Sequence, residues 1–140
     1  MKKRGLPVKA AYLTLDEVLY IHEQVIDAFG GSHGVRDMNL VESAVHRPKA
    51  SFDGKDLYPE LWGKAAALMH SLLFNHAFID GNKRAAFVAA DAFLRKNGYR
   101  LRCNSKTAFE FLMDALASRI DVESLAKWIS RRVVRVKQAL

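Results

Sequence analysis

The chain has 140 residues, half of them hydrophobic, which is enough for one domain burying about two-thirds of its unfolded surface. Twenty-two basic against 15 acidic residues give a net charge of +7, favouring acidic partners such as nucleotides without choosing among them. No apolar run reaches the ~18 residues of a membrane span, and no signal-peptide core opens the chain. The single Cys103 excludes an internal disulfide and fits a cytoplasmic location; it reads as an inert thiol. Basic residues concentrate at 1–4 and 131–137 without interleaved aromatics. Both stretches read as solvated ends, so no direct nucleic-acid binding is expected.

After Pro7, Thr14-Leu15-Asp16-Glu17 forms a capping box that opens a helix. Leu15, Val18, Leu19, His22, Val25, Ile26 and Phe29 fall on one face of it, and Gly30-Gly31 ends it. His22 lies inside the apolar stripe and reads as a hydrogen-bonded core histidine. Asp37 caps a short helix carrying Leu40, Val41, Ala44 and Val45, which Pro48 stops. Residues 49–58 have no helical period, and Asp53-Gly54 suits a tight hairpin turn between Phe52 and Lys55.

Pro59 suits the first turn of the next helix. Its apolar face is wide: Leu61, Trp62, Ala65, Leu68, Met69, Leu72 and Leu73. A second largely apolar helix follows over 85–94, with Asp91 as an interruption read as a salt-bridge or capping residue, and Asn97-Gly98 closes it. Residues 99–102 are short and extended. Ser105 caps a helix carrying Ala108, Phe109, Leu112, Met113 and Leu116. Asp121 caps the last, with Val122, Leu125, Ala126, Ile129 and Val133 inward. The expected architecture is a single all-α domain over 1–140, a compact bundle of about six helices with one small β-hairpin.

Between the two apolar helices lies Asn75-His76-Ala77-Phe78-Ile79-Asp80-Gly81-Asn82-Lys83-Arg84. A helix N-terminus leaves backbone N–H groups unpaired and favours anions. Gly81-Asn82 tolerates positive φ, so the amides after it can converge on a phosphate, to which Lys83 and Arg84 add charge. Asp80 offers oxygen to a Mg²⁺ ion bridging phosphates, and His76 is a candidate general base. Each residue alone has an ordinary structural reading, because polar helix–helix loops of this composition are common.

The combination His76-x-Phe78-x-Asp80-Gly81-Asn82-Lys83-Arg84 resembles the core motif of the Fic/Doc superfamily, in the form used by Doc (death-on-curing) toxins. Fic adenylyltransferases read His-Pro-Phe-x-Asp/Glu-Gly-Asn-Gly-Arg-x-x-Arg; this chain has Ala77 for the Pro, Lys83 for the second Gly and Phe87 for the second Arg. The run from Phe29 to Asp37, with residues 40–45 and Arg47-Pro48, resembles the N-terminal third of Doc-type proteins. The similarity thus covers most of residues 12–100.

The resemblance implies a mechanism. His76 takes the proton of a Ser or Thr hydroxyl, Asp80 holds Mg²⁺, and Asn82, Lys83, Arg84 and the helix amides bind ATP phosphates. Residues 49–58, including Phe52, Asp53, Gly54 and Lys55, become a flap that pairs with the target. Lys83 and Phe87 match the Doc pattern, in which the γ-phosphate faces the target, implying a kinase; the family's characterised target is a translation elongation factor. Gly81 departs from the common Doc Ala and keeps AMP transfer as the alternative. No Glu is followed by Gly or Asn, so no internal inhibitory helix is expected; a separate Phd-type antitoxin would bind a groove on the helical surface. The third reading is a non-catalytic module that binds the antitoxin and tunes the operon.

Overall fold

The computed structural model describes residues 9–136. Six helices run in the order α1 (Leu15–Phe29), α2 (Met38–His46), α3 (Leu61–Phe74), α4 (Asn82–Lys96), α5 (Ser105–Ser118) and α6 (Val122–Ser130). Strands β1 (Ser51–Phe52) and β2 (Lys55–Asp56) form a hairpin between α2 and α3, while β3 (Tyr99–Leu101) pairs antiparallel with β4 (Val133–Arg135). The bundle of six helices with a small hairpin is the expected class.

The core is organised around α3. Leu61, Trp62, Leu68, Met69, Leu72 and Leu73 are buried, as are the alanines at 65–67, because α4, α6 and α2 all pack against this helix. On α4, Ala85, Ala86, Ala89 and Ala90 let that helix approach α3 closely, and Phe93 and Leu94 fill the space beyond. Burying each large apolar side chain contributes on the order of 1.5–3 kcal/mol. The two helices flanking the polar loop are therefore fixed by packing.

Local rules account for most helix ends. Thr14 Oγ1 accepts from the Glu17 amide (3.1 Å) and Glu17 Oε1 from the Thr14 amide (2.9 Å), completing the capping box. Gly30, at φ 88°, ends α1. Asp37 and Asp121 cap α2 and α6. Asp91 accepts from Arg95 (2.7 Å) and from the Leu101 amide (2.8 Å), tying α4 to β3.

Several expectations need correction. Pro59 is not in the first turn of α3, which starts at Leu61 after the N-cap Glu60, and Asn104 rather than Ser105 caps α5, accepting from the Thr107 amide at 2.8 Å. Val133 is not helical: α6 stops at Ser130 and the chain turns back to pair with β3. Phe29, placed on the apolar face of α1, is exposed, as are Phe109 and Met113 on α5. The stretch 131–135 is not merely a solvated end, because Arg132 lies 4.7 Å over the Trp128 ring and Arg135 5.4 Å over Tyr99. Residues 1–4, Pro7 and Lys137 lie outside the described residues.

Candidate active site

The loop from 75 to 82 is fixed from several directions. Asn75 donates to the Leu40 carbonyl (3.1 Å) and accepts from the Ala77 amide (3.0 Å). Val35 and Phe78 form a one-residue antiparallel bridge, and the amides of Arg36 and Asp37 both donate to Ala77 O, at 2.8 and 3.0 Å. Asn82 closes the loop on itself: its Oδ1 accepts from the Phe78 amide (3.1 Å) and its Nδ2 donates to the Phe78 carbonyl (2.9 Å). Both ends of that side-chain amide serve loop closure.

His76 sits in this frame with its backbone at φ 53°, and the residue is exposed. The left-handed region costs a non-glycine residue roughly 1–2 kcal/mol. Arg36 helps to hold it there: Nε donates to the His76 carbonyl (2.6 Å) and Nη2 to the Asn75 carbonyl (3.1 Å). These are charge-assisted bonds, stronger than neutral ones. The backbone carrying the imidazole is thus held in a conformation it would not choose freely.

Asp80 lies on the next turn. Oδ2 accepts from the Ser32 amide (3.1 Å) and Oδ1 from the Gly81 amide (2.9 Å). These two N–H groups, with Lys83 and His22 nearby, hold its carboxyl below the usual carboxylate range, so the group is ionised at neutral pH. The fit is close, since a Cβ on Gly31 would lie 2.7 Å from Oδ2. From below, buried His22 stacks on Phe78 with centroids 3.8 Å apart, and its Nε2 meets the Asp80 carbonyl at 2.8 Å. A carbonyl only accepts, so Nε2 carries the proton.

Gly81 is the N-cap of α4, in left-handed conformation at φ 73° and with no side-chain cap. Helices α1, α2, α5 and α6 each have a side chain closing their N-terminus; α3 and α4 do not, and of these two only α4 follows the polar loop. The first intrahelical bond runs from the Ala85 amide to the Gly81 carbonyl (2.9 Å), so the amides of 82–84 precede the ladder and can serve an anion. Lys83 is half-buried in that first turn, close enough to Asp80 to lower its pKa. Arg84 is exposed, its guanidinium 4.1 Å over the Phe29 ring. Among the described residues no carboxylate forms an ion pair with either cation.

The donor set suits a phosphate chain with a divalent cation. Open amides and two cations fit the phosphates, and one ionised carboxylate fits Mg²⁺, which binds through few protein oxygens and keeps its remaining positions for phosphates and water. No group of three or more His, Cys, Asp or Glu side chains could hold a metal among the described residues, so such a cation would be held by Asp80 together with what it accompanies. A groove of about 460 Å³ lies elsewhere, between the segment leaving the hairpin (Leu57, Tyr58), the start of α3 (Trp62) and α6 (Val122, Ala126).

Sequence reasoning singled out His76, Asp80, Gly81, Asn82, Lys83 and Arg84, which lie on the loop and the first turn of α4. It passed over Arg36, Ser32, Gly31 and Asn75, which hold them. Phe52, Asp53, Gly54 and Lys55 form the hairpin, with Asp53 at φ 53° and Gly54 at φ 77° in the two turn positions. Phe52 is 76% exposed.

Comparison with known proteins places these features in context. The sequence model of the Fic/DOC family matches residues 12–94, which span the loop and both flanking helices. The chain is similar to a protein of Mycolicibacterium smegmatis named toxin Doc, 50% identical over 101 residues that cover 71% of this chain and 78% of that protein. It is also similar to the protein kinase doc of Escherichia phage P1, 27% identical over 120 residues, covering 86% of this chain and 94% of that one.

Proposed function

From a chain that belongs to the Fic/DOC family, we propose a toxin of a toxin–antitoxin system that transfers the γ-phosphate of ATP to a Ser or Thr hydroxyl of a target protein. The observation that carries this reading is the uncapped N-terminus of α4, with ionised Asp80, Lys83 and Arg84 around it and His76 on the loop that leads into it. The relatives' names, one a toxin and the other a protein kinase, support the class of activity.

In this reading His76 accepts the hydroxyl proton as the oxygen bonds to the γ-phosphorus, the bond from phosphorus to the β-phosphate oxygen breaks, and ADP leaves. A neutral imidazole has one ring nitrogen free to accept a proton. Lys83, Arg84 and the amides of 82–84 bind phosphate oxygens and stabilise their charge, the dominant requirement of phosphoryl transfer. Asp80 would hold Mg²⁺, which when bound would supply charge neutralisation to the phosphates. Asn82, engaged with Phe78 at both ends, contributes through its backbone amide and the loop shape. The target is proposed to be a translation elongation factor, presented by the hairpin, and the counterpart antitoxin to be of the Phd type.

Transfer of AMP is the second reading, because Gly81 is the Fic residue. A separate pressure accounts for that glycine: its φ is 73°, and a Cβ there would lie 2.8 Å from Ile26 Cδ1. The packing of α1 against the loop thus explains Gly81 without reference to the group transferred.

The test is incubation with γ-labelled or α-labelled ATP, Mg²⁺ and bacterial lysate. Label from the γ position only, lost in His76→Ala, is the expected result. Label from the α position would indicate adenylylation. No transfer from either, with His76→Ala as toxic as the parent, would leave a non-catalytic antitoxin-binding module.

A further inference from the structure

A two-stranded ribbon is marginal in water unless something packs against it, and β1, β2 and their turn are exposed throughout. What fastens this ribbon to the body is therefore informative. Lys64, on α3, is the one charged side chain fully buried among the described residues, at 0% exposure. Its ammonium donates to the Pro48 carbonyl (3.3 Å) and to Asp56 Oδ2 (3.0 Å), with the Tyr12 ring 5.5 Å away. Pro48 precedes β1 and Asp56 ends β2, so one ammonium joins both legs of the hairpin.

A second cation reinforces the base. Arg47 donates from Nε to the Tyr58 hydroxyl (3.1 Å), and from Nη1 to His70 Nδ1 (3.0 Å) and Ser71 Oγ (3.1 Å). The Leu57 amide closes the frame by donating to the Ala50 carbonyl (2.8 Å).

Burying an ammonium is unfavourable unless it is paired and hydrogen-bonded. Filling this position on an apolar helix requires only a methionine or leucine. Burial here works against the charged form, but hydrogen bonds involving Tyr12 and Asp56 outweigh it and hold the lysine above its ordinary range. The charge is kept, and its carboxylate partner stands on the hairpin.

We propose that Lys64 is a positioning residue for the hairpin: its buried ammonium fixes how the ribbon stands over α3, so that Phe52 and the strand edge meet a protein target in one orientation. The part concerning a target rests on the function proposed above; the anchoring does not.

The test is amide hydrogen exchange in the full chain, comparing wild type with Lys64→Met and Asp56→Asn. Methionine keeps the length and removes the charge, and the Asp56 carboxylate, being in contact with solvent, is not left as an unpaired buried charge. Exchange of the Leu57 amide and its hairpin neighbours is expected to rise by roughly tenfold, with α4 amides unchanged. Wild-type exchange at Leu57 would overturn the anchoring. Should Lys64→Met fail to fold, Asp56→Asn carries the test, because Asp56 is 46% exposed; acceleration in the same direction is expected, and none would overturn the proposal.

In the transfer reaction, Lys64→Met is expected to raise KM for the protein target and leave KM for ATP unchanged. A target KM unchanged despite faster exchange would overturn the positioning role. If wild type transfers nothing, the proposed function fails while the exchange result still decides the anchoring.

Discussion

The loop at 75–84 and the hairpin at 51–56 are held by opposite strategies. The loop is secured along its length: Arg36 on two carbonyls, Asn75 and Asn82 bridging within and across it, His22 beneath, Ser32 and Gly81 on Asp80. The hairpin is secured only at its base, by Lys64 and Arg47, and its turn and Phe52 stand in solvent. The difference matches what each region must do under the proposed function. A cradle for phosphate and a proton acceptor needs its groups preorganised, whereas a surface that receives another protein's backbone needs a defined foot and an open edge.

The largest expected effect of breaking this contrast is at Gly81. Gly81→Ala imposes a Cβ on a left-handed residue and pushes it against Ile26, for a cost of roughly 1–3 kcal/mol. Chemical denaturation measures it, and wild-type stability in the variant would mean the loop is less constrained than the contacts imply.

A smaller effect is expected at acid pH. The folded carboxyl of Asp80 sits below the unfolded value of ~3.9, so its stabilisation is present above that pH and is lost as pH falls through the folded value. Asp80→Asn should therefore differ most from wild type near neutrality and converge with it below about pH 4. Parallel stability curves across that window would contradict the assigned ionisation.

The smallest expected change in stability is at the hairpin tip. Phe52→Ala should alter unfolding free energy by no more than about 0.5 kcal/mol, yet reduce transfer to the protein target. A large loss of stability would mean that Phe52 packs against the body and that the contrast between loop and hairpin is misdrawn.

The parts of this arrangement legible in the sequence are those with local causes. Thr14 with Glu17, Asp37 and Asp121 announce helix starts because caps act within three residues. Asp53-Gly54 announces a hairpin because few residues accept two successive positive φ values. The candidate phosphate-site residues proposed at the start of α4 are legible because they lie close together in the chain. Arg36 is not, since its partners are main-chain carbonyls 39 and 40 positions away, which leave no pattern of residue types. Lys64 is hidden because its partners, the Pro48 carbonyl and the Asp56 carboxylate, lie outside its helix in the segment before it, where no helical spacing links them to it. Val133 continues the helical spacing of Leu125 and Ile129, and only pairing with β3 pulls it into a strand. Phe29 fits the apolar stripe of α1, but α1 ends there and its ring meets Arg84 instead of the core.

The central claim is that the start of α4 cradles the phosphates of ATP while His76 serves the proton transfer. Calorimetric titration of MgATP into wild type, Lys83→Ala and His76→Ala tests it most directly. Affinity should fall by roughly tenfold in Lys83→Ala, the loss of about 1.4 kcal/mol of binding, and remain near wild type in His76→Ala. Wild-type affinity in Lys83→Ala, or an equal loss in His76→Ala, would contradict the account.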